Sequence, residues 1–299
     1  MKAKITLNGA DFSANNIGQL VDLSPLTLAV LAKQTQYGQD SDEAIALNAF
    51  LNNLENGGFL GENGSIKTLI IPALASQQSE LMYNIALLDN NGYPTNEMSA
   101  EEIAATTKCY VPYMSGTRVI GLESTTHNEE GVTVSTIKAQ KRFNPHIFTR
   151  AELIPSHSAI TFIPQASGIL VSEIENTATN TMLLYQKTKA IIKFGQSICS
   201  EASITSLGSG FAGFTYNASS KEFGGLLNSG TLGTTNVGET QQTNLNDEGI
   251  LLGTVGAAAN IVTARTSLLI FANTDYTNNQ LTTLKGYVDT LMYALHVTQ

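Results

Sequence analysis

The stretch from Thr266 to Val297 leaves the fewest options for a chain that contains it. It opens TSLLIFAN, with Leu268, Leu269, Ile270 and Phe271 contiguous. A short unbroken apolar run of this kind predicts a strand buried on both faces. After Thr274, Asp275 and Tyr276 comes TNNQLTTLKGYVDTLMYALHV, in which Thr277 is followed three residues later by Gln280. That spacing is a capping box, in which each side chain accepts a backbone N–H that helix geometry leaves unpaired. Leu281, Leu284, Val288, Leu291 and Leu295 then recur at steps of three and four, on one face of the helix. Gly286 costs that helix about 1 kcal/mol relative to alanine, and only burial of the stripe offsets it. The pattern predicts a core strand, a capped turn and a helix laid back on the core or on a partner subunit.

Upstream, Lys2 to Leu7 alternates and meets Asn8-Gly9, a hairpin-turn dipeptide, with a second strand between Asp11 and Leu20. A two-stranded hairpin is marginal alone, so residues 1–22 are read as an arm. Phe12, Ile17 and Leu20 are its candidate assembly contacts; the alternative is an edge hairpin of the main sheet. Residues 23–60 form a helical segment. Ser24-Pro25 starts a first helix with Leu26, Leu28, Leu31 and Ala32 on its apolar side and Gly38 at its end. Ser41 caps a second, with Asp42 and Glu43 in the first turn, a stripe of Ala44, Leu47, Phe50, Leu51 and Leu54, and a Gly57-Gly58 stop.

Residues 61–299 read as short strands parted by Gly, Pro, Asn and Ser, among them 81–88, 108–114, 118–122, 159–163, 213–216, 222–227, 250–252 and 268–272. That density argues a sandwich or jelly roll rather than βαβ units. Residues 97–106 are the one candidate helix inside, and 230–249, rich in Thr, Asn, Gly and Gln, read as a long loop or mobile edge.

Two segments resemble a known group. SDEAIALNAFLNNLENGGFLGENGSIKTLIIPALA (41–75) and EGILLGTVGAAANIVTARTSLLIFANTDYTNNQLTTLKGYVDTLMYAL (248–295) are similar to bacteriophage virion proteins with a concanavalin A-like, lectin-type jelly roll. GFAGFTYNASSKEFGGLLNSG (210–230) looks like their aromatic hairpin, and KITLNGADFSANNIG like their N-terminal arm. The resemblance implies a mainly β fold: a concanavalin A-like sandwich with a hairpin arm, a helical pair and a closing C-terminal helix. It implies a non-enzymatic virion structural protein of head, neck or tail, in several copies as a homo-oligomer, with other virion proteins as partners. The alternative is a carbohydrate-binding receptor-recognition module of a phage fibre or bacterial surface protein, with host-surface glycan as partner.

Charge and composition narrow the chemistry. The formal net charge is −9, and the densest cationic group is only Lys138, Lys141 and Arg142; phosphate-backbone binding needs a basic footprint, so nucleic acid is not expected. No run approaches 18 apolar residues and MKAKITLNG has no apolar leader core, so no membrane span or signal peptide is expected. Two cysteines, Cys109 and Cys199, make no disulfide framework and read as buried thiols, with a single disulfide between them as the alternative.

A retaining glucanase of this fold class needs facing carboxylates about 5 Å apart. Glu173 and Glu175 alternate on one strand, but no Asp lies between them, no further acid follows, and the chain has no Trp; a solvated strand end is the better reading. His127, His146, His157 and His296 have no metal-ligand spacing. Asp247, Glu248 and Asp275 lack a calcium-loop pattern. No catalytic residue, cofactor or metal is expected. Tyr110, Tyr113, Tyr185, Phe214 and Tyr216 are aromatic candidates for a sugar surface, with core packing as the ordinary alternative.

Overall fold

The computed structural model describes residues 22–98, 110–124, 146, 156–164, 209–228, 230–236 and 264–297, with short strand segments elsewhere in the chain. Within them the fold is mainly β: an eight-stranded antiparallel sheet, smaller sheets and three α-helices. The strands used below are β1 (Ile66–Ile70), β2 (Tyr83–Leu88), β3 (Pro94–Asn96), β4 (Tyr110–Ser115), β5 (Arg118–Ser124), β6 (His157–Ile163), β7 (Gly210–Asn217), β8 (Glu222–Leu227), β9 (Gly230–Asn236), β10 (Ala264–Thr266) and β11 (Leu268–Ala272). The large sheet runs β9-β8-β7-β6-β11-β1-β2-β3, and β10-β5-β4 form a separate three-stranded sheet.

Strand β11 sits mid-sheet between β6 and β1, and all five of its residues are buried. A central strand has neighbours on both edges and layers on both faces, which is why its sequence is continuously apolar rather than alternating. The chain crosses from the small sheet to the large one at Ser267, whose N–H donates to the Phe162 carbonyl at 2.8 Å.

The helices are α1 (Pro25–Leu31), α2 (Asp42–Asn56) and α3 (Asn278–Ala294). Ser24, Ser41 and Thr277 cap them, and Thr277 and Gln280 form the reciprocal capping box. Helices α2 and α3 cover one face of the large sheet. Leu281, Leu284, Val288, Leu291 and Leu295 all lie in the core with Leu47, Leu51 and Leu54 of α2 and with Ile160, Phe162, Phe211 and Ile270 of the sheet. Gly213 lets α3 come close: a Cβ there would stand 2.9 Å from the Phe211 ring and 3.1 Å from Leu281 Cδ2. The opposite face is buried too, through Phe214, Tyr216, Phe223, Leu269 and Phe271.

Several expectations are corrected. Helix α1 ends at Leu31, not near Gly38, and Leu28 faces solvent while Thr27 is buried. The cause is polar: Thr27 Oγ1 donates to Asn48 Oδ1 at 3.0 Å, which turns that side of α1 onto α2. Of the two expectations for 230–249, loop or edge, residues 230–236 form an edge strand: β9 closes one side of the large sheet and pairs with β8, with a register shift between Phe223 and Gly225, despite its Thr/Gly/Asn content. Among the described residues the arm pairs Thr6–Leu7 with Ala10–Asp11, which corrects nothing in the expected hairpin. Its candidate contacts Phe12, Ile17 and Leu20 lie outside the described residues. So does the candidate helix beyond Met98.

Candidate functional site

A cleft of about 780 Å³ opens where three elements distant in sequence meet. Its walls are the first turn of α2 (Asp42, Glu43), the β4–β5 turn (Ser115, Gly116, Thr117, Arg118) with Ile120, and the end of α3 (Tyr293, Ala294, His296). The volume falls within the range of small-molecule sites, roughly 300–1,000 Å³.

Each wall has a local cause. Ser41 starts α2, which puts two carboxylates in its first turn, where the helix dipole favours them. Gly116 has φ 61°, the left-handed conformation that a two-residue hairpin turn needs at its first position. Helix α3 ends in a Schellman turn: Val297 N–H donates to Met292 O at 2.9 Å and His296 N–H to Tyr293 O at 3.0 Å. The left-handed position of that turn is normally glycine, yet here it is His296, with φ 57°. The turn carries the imidazole to α2, where His296 Nε2 lies 3.2 Å from Glu43 Oε1.

The segment between α1 and α2 ties the walls together. Val119 N–H donates to Gln36 Oε1 at 2.8 Å, and Gln36 Nε2 donates to the Val119 and Ala73 carbonyls at 2.8 Å each. The Gln36 carboxamide thus serves β5 as a one-residue strand. Next to it, Tyr37 donates its hydroxyl to the Leu295 carbonyl at 3.1 Å, and the Arg118 guanidinium carbon stands 5.9 Å from its ring centroid. Burial raises the Tyr37 phenol, an effect that Arg118 partly opposes. Burial also pushes the Glu43 carboxyl up, but hydrogen bonds from its own backbone, Ser41 and His296 more than reverse this and hold it below the usual value.

Tyr293 is the exception on α3. Its exposure is 73%, against none to 1% for the stripe residues Leu281, Leu284, Val288, Leu291 and Leu295. Burial does not explain a large aromatic there, so its ring is available as a flat apolar surface on the cleft rim.

None of the residues singled out for chemistry or assembly in the sequence, apart from His296, lines this cleft. Glu173 lies in a strand, Ser172–Ile174, paired through Leu251; its side chain and all of Glu175 lie outside the described residues. Tyr110, Phe214 and Tyr216 are core residues, not a surface. Tyr113 is half-buried, with the Arg265 guanidinium 4.4 Å above its ring. His157 is buried against Tyr216, and His146 lies 2.9 Å from Glu97. Asp275 accepts from Asn217 at 2.7 Å. His127, Cys109, Asp247, Glu248, Lys138 and Lys141, and the side chains of Tyr185, Cys199 and Arg142, lie outside the described residues. Among the described residues no three His, Cys, Asp or Glu side chains group as metal ligands, and no helix is long and apolar enough to cross a membrane.

No protein-family model and no curated protein matches the chain. Similar solved structures include a carbohydrate-binding module (CBM40) of a Ruminococcus gnavus sialidase, bound to α2,6-sialyllactose. It is 9% identical, with a TM-score of 0.35 over 46% of this chain and 85% of that one. The receptor-binding domain of botulinum neurotoxin D is 10% identical, TM-score 0.42, over 75% of this chain and 53% of that one. A Trypanosoma rangeli sialidase is 10% identical, TM-score 0.41, over 83% and 39%. At these scores the functional reading rests on the cleft and not on the likenesses.

Proposed function

We propose that this chain is a non-enzymatic glycan-binding module and that the cleft between α2, the β4–β5 turn and α3 holds the sugar. The observation that carries the reading is the solvent-facing Tyr293 ring on a cleft lined by Asp42, Glu43, Ser115, Thr117, Arg118 and His296. A sugar offers an apolar C–H face to a ring and hydroxyls to surrounding donors and acceptors, and this lining supplies both. The two carboxylates argue for binding rather than hydrolysis. Asp42 and Glu43 are consecutive on a helix, so they diverge by about 100° and cannot face one another across a glycosidic bond.

The framework we assign is a concanavalin A-like sandwich. Its support is the burial of both faces of the large sheet, one by helices and the other through Phe214, Tyr216, Phe223, Leu269 and Phe271. The setting we assign is a phage particle, where several copies present the module to host-surface glycan and residues 1–22 contact neighbouring chains. This follows from the resemblance in the arm and in the two helix-bearing segments. Assembly alone is the second reading, favoured by the exposed Leu28 and Ile45 on α1 and α2.

A glycan array probed with the wild type and with Tyr293→Ala tests the proposal. The wild type should give signals that the variant loses at unchanged melting temperature, and a polysaccharide screen should show no turnover. An array without signal removes the glycan reading and leaves assembly. Turnover abolished by Glu173→Gln returns the chain to the enzymes.

A further inference from the structure

We infer that the ligand of this cleft is anionic and that Arg118 receives its charge. The inference rests on the glycan reading and narrows it to sugars that bear a carboxylate. Four ionisable side chains besides tyrosine line the cleft: Asp42, Glu43, Arg118 and His296. Glu43 and His296 face each other at 3.2 Å. Asp42 sits in the first turn of α2, where the helix dipole offsets its charge. Arg118 is the remaining charge. Among the described residues its guanidinium has no carboxylate or carbonyl partner; its neighbour is the Tyr37 ring, 5.9 Å away.

A guanidinium presents its N–H donors as a planar fork that matches a carboxylate in paired, charge-assisted hydrogen bonds. At its half-buried position on the cleft those donors face solvent, and a ligand carboxylate can take the place of that water. The fork is also held in place before any ligand arrives. Tyr37 lies beneath it, and Gln36 binds both backbone groups of the next residue, Val119. The Ser115 and Thr117 hydroxyls stand on the same turn, and Tyr293 belongs to another wall of the cleft. One carboxylate on Arg118, with its sugar ring toward Tyr293, uses both the cation and the exposed ring of the lining.

The surrounding acids set the upper limit on that charge. Asp42 and Glu43 share the cleft, and the protein as a whole carries a formal −9. A polyanion would bring several charges against both carboxylates, whereas a single carboxylate can be taken by Arg118 alone. The site is therefore built for a single acidic sugar and not for a highly charged polymer.

Titration followed by NMR, with matched pairs of sugars, tests this. The pairs are sialyllactose against lactose, and a glucuronic acid-terminated disaccharide against its glucose-terminated counterpart. In at least one pair the acidic member should bind tenfold tighter or more. Arg118→Gln should bring that ratio close to one without changing the fold, and Arg118→Lys, which keeps the charge but not the fork, should lower it partway. Neutral members that bind as well as acidic ones, unaffected by Arg118→Gln, overturn the inference and leave the glycan reading standing. Sugars that all fail to bind, while acetate shifts the Arg118 resonances, overturn the glycan reading and keep the charge assignment. Failure of sugars and acetate alike overturns both.

Discussion

The Tyr37 hydroxyl donates to the backbone carbonyl of Leu295, 258 positions away in the chain, at 3.1 Å. Both residues are buried. The bond fastens the segment between the first two helices to the end of the last one. Tyr37→Phe keeps the ring under Arg118 and removes only the bond. It should cost about 1–3 kcal/mol, the penalty for leaving a buried carbonyl unpaired, as read by urea denaturation.

The stripe of α3 separates packing from surface. Leu284 is fully buried, so Leu284→Ala should cost about 2–5 kcal/mol. Thr282 is exposed, with its hydroxyl bonded to the Asn278 carbonyl at 2.8 Å, and Thr282→Asp should stay within about 0.5 kcal/mol of wild type. Equal melting temperatures for wild type and Leu284→Asp would show that the helix contributes nothing to the fold.

His296 carries a left-handed backbone that glycine adopts without penalty. His296→Gly removes that strain, roughly 1–2 kcal/mol, along with the contact to Glu43. Stability should therefore hold or rise slightly, while sugar affinity falls through loss of the cleft wall. A large drop in melting temperature would mean that the imidazole is structural.

Glu80 gives the fold an acid limit. Burial acts to raise its carboxyl, but the Ser76 and Thr35 N–H groups at 2.8 and 2.9 Å, with the Thr35 hydroxyl and the Gln77 amide, bring it below the ordinary 4.5. A group depressed in the folded state stabilises fully above its unfolded value, and that contribution disappears as pH falls through the folded value. Stability should decline below about pH 4.5. In Glu80→Gln the slope should flatten and stability at neutral pH should be lower, which denaturation curves at several pH values would show.

Gly213→Ala tests the approach of α3 to the sheet. The added methyl would press on Phe211 and Leu281, and overpacking of this kind costs about 1–3 kcal/mol. A variant as stable as wild type would mean that the helix has room to move outward.

Local chemistry was legible in the sequence and remote geometry was not. Ser24, Ser41, Thr277 and Gln280 define helix starts through bonds within four residues, and the Leu268–Phe271 run shows its burial through composition alone. For β9 the sequence left loop and edge open, because Thr, Gly and Asn say little about a backbone whose pairing is decided by the neighbouring strand. The cleft joins residues 42–43, 115–120 and 293–296, and no spacing rule links those segments. One signal was available. Tyr293 lies almost opposite the leucine stripe on a helical wheel, where burial gives no reason for an aromatic.

The mid-sheet position of β11 has a consequence for biosynthesis. On the ribosome, β1 and β6 emerge long before residue 268, and each lacks the strand that will lie between them in the finished sheet. The unpaired apolar edge of β1 then waits for about two-thirds of the chain to be translated and that of β6 for about one-third, the situation in which strands pair with the wrong partner or with another nascent chain. Delayed completion of this kind predicts that yield in a host responds to the supply of chaperones that shield strand edges more than to small changes in native stability.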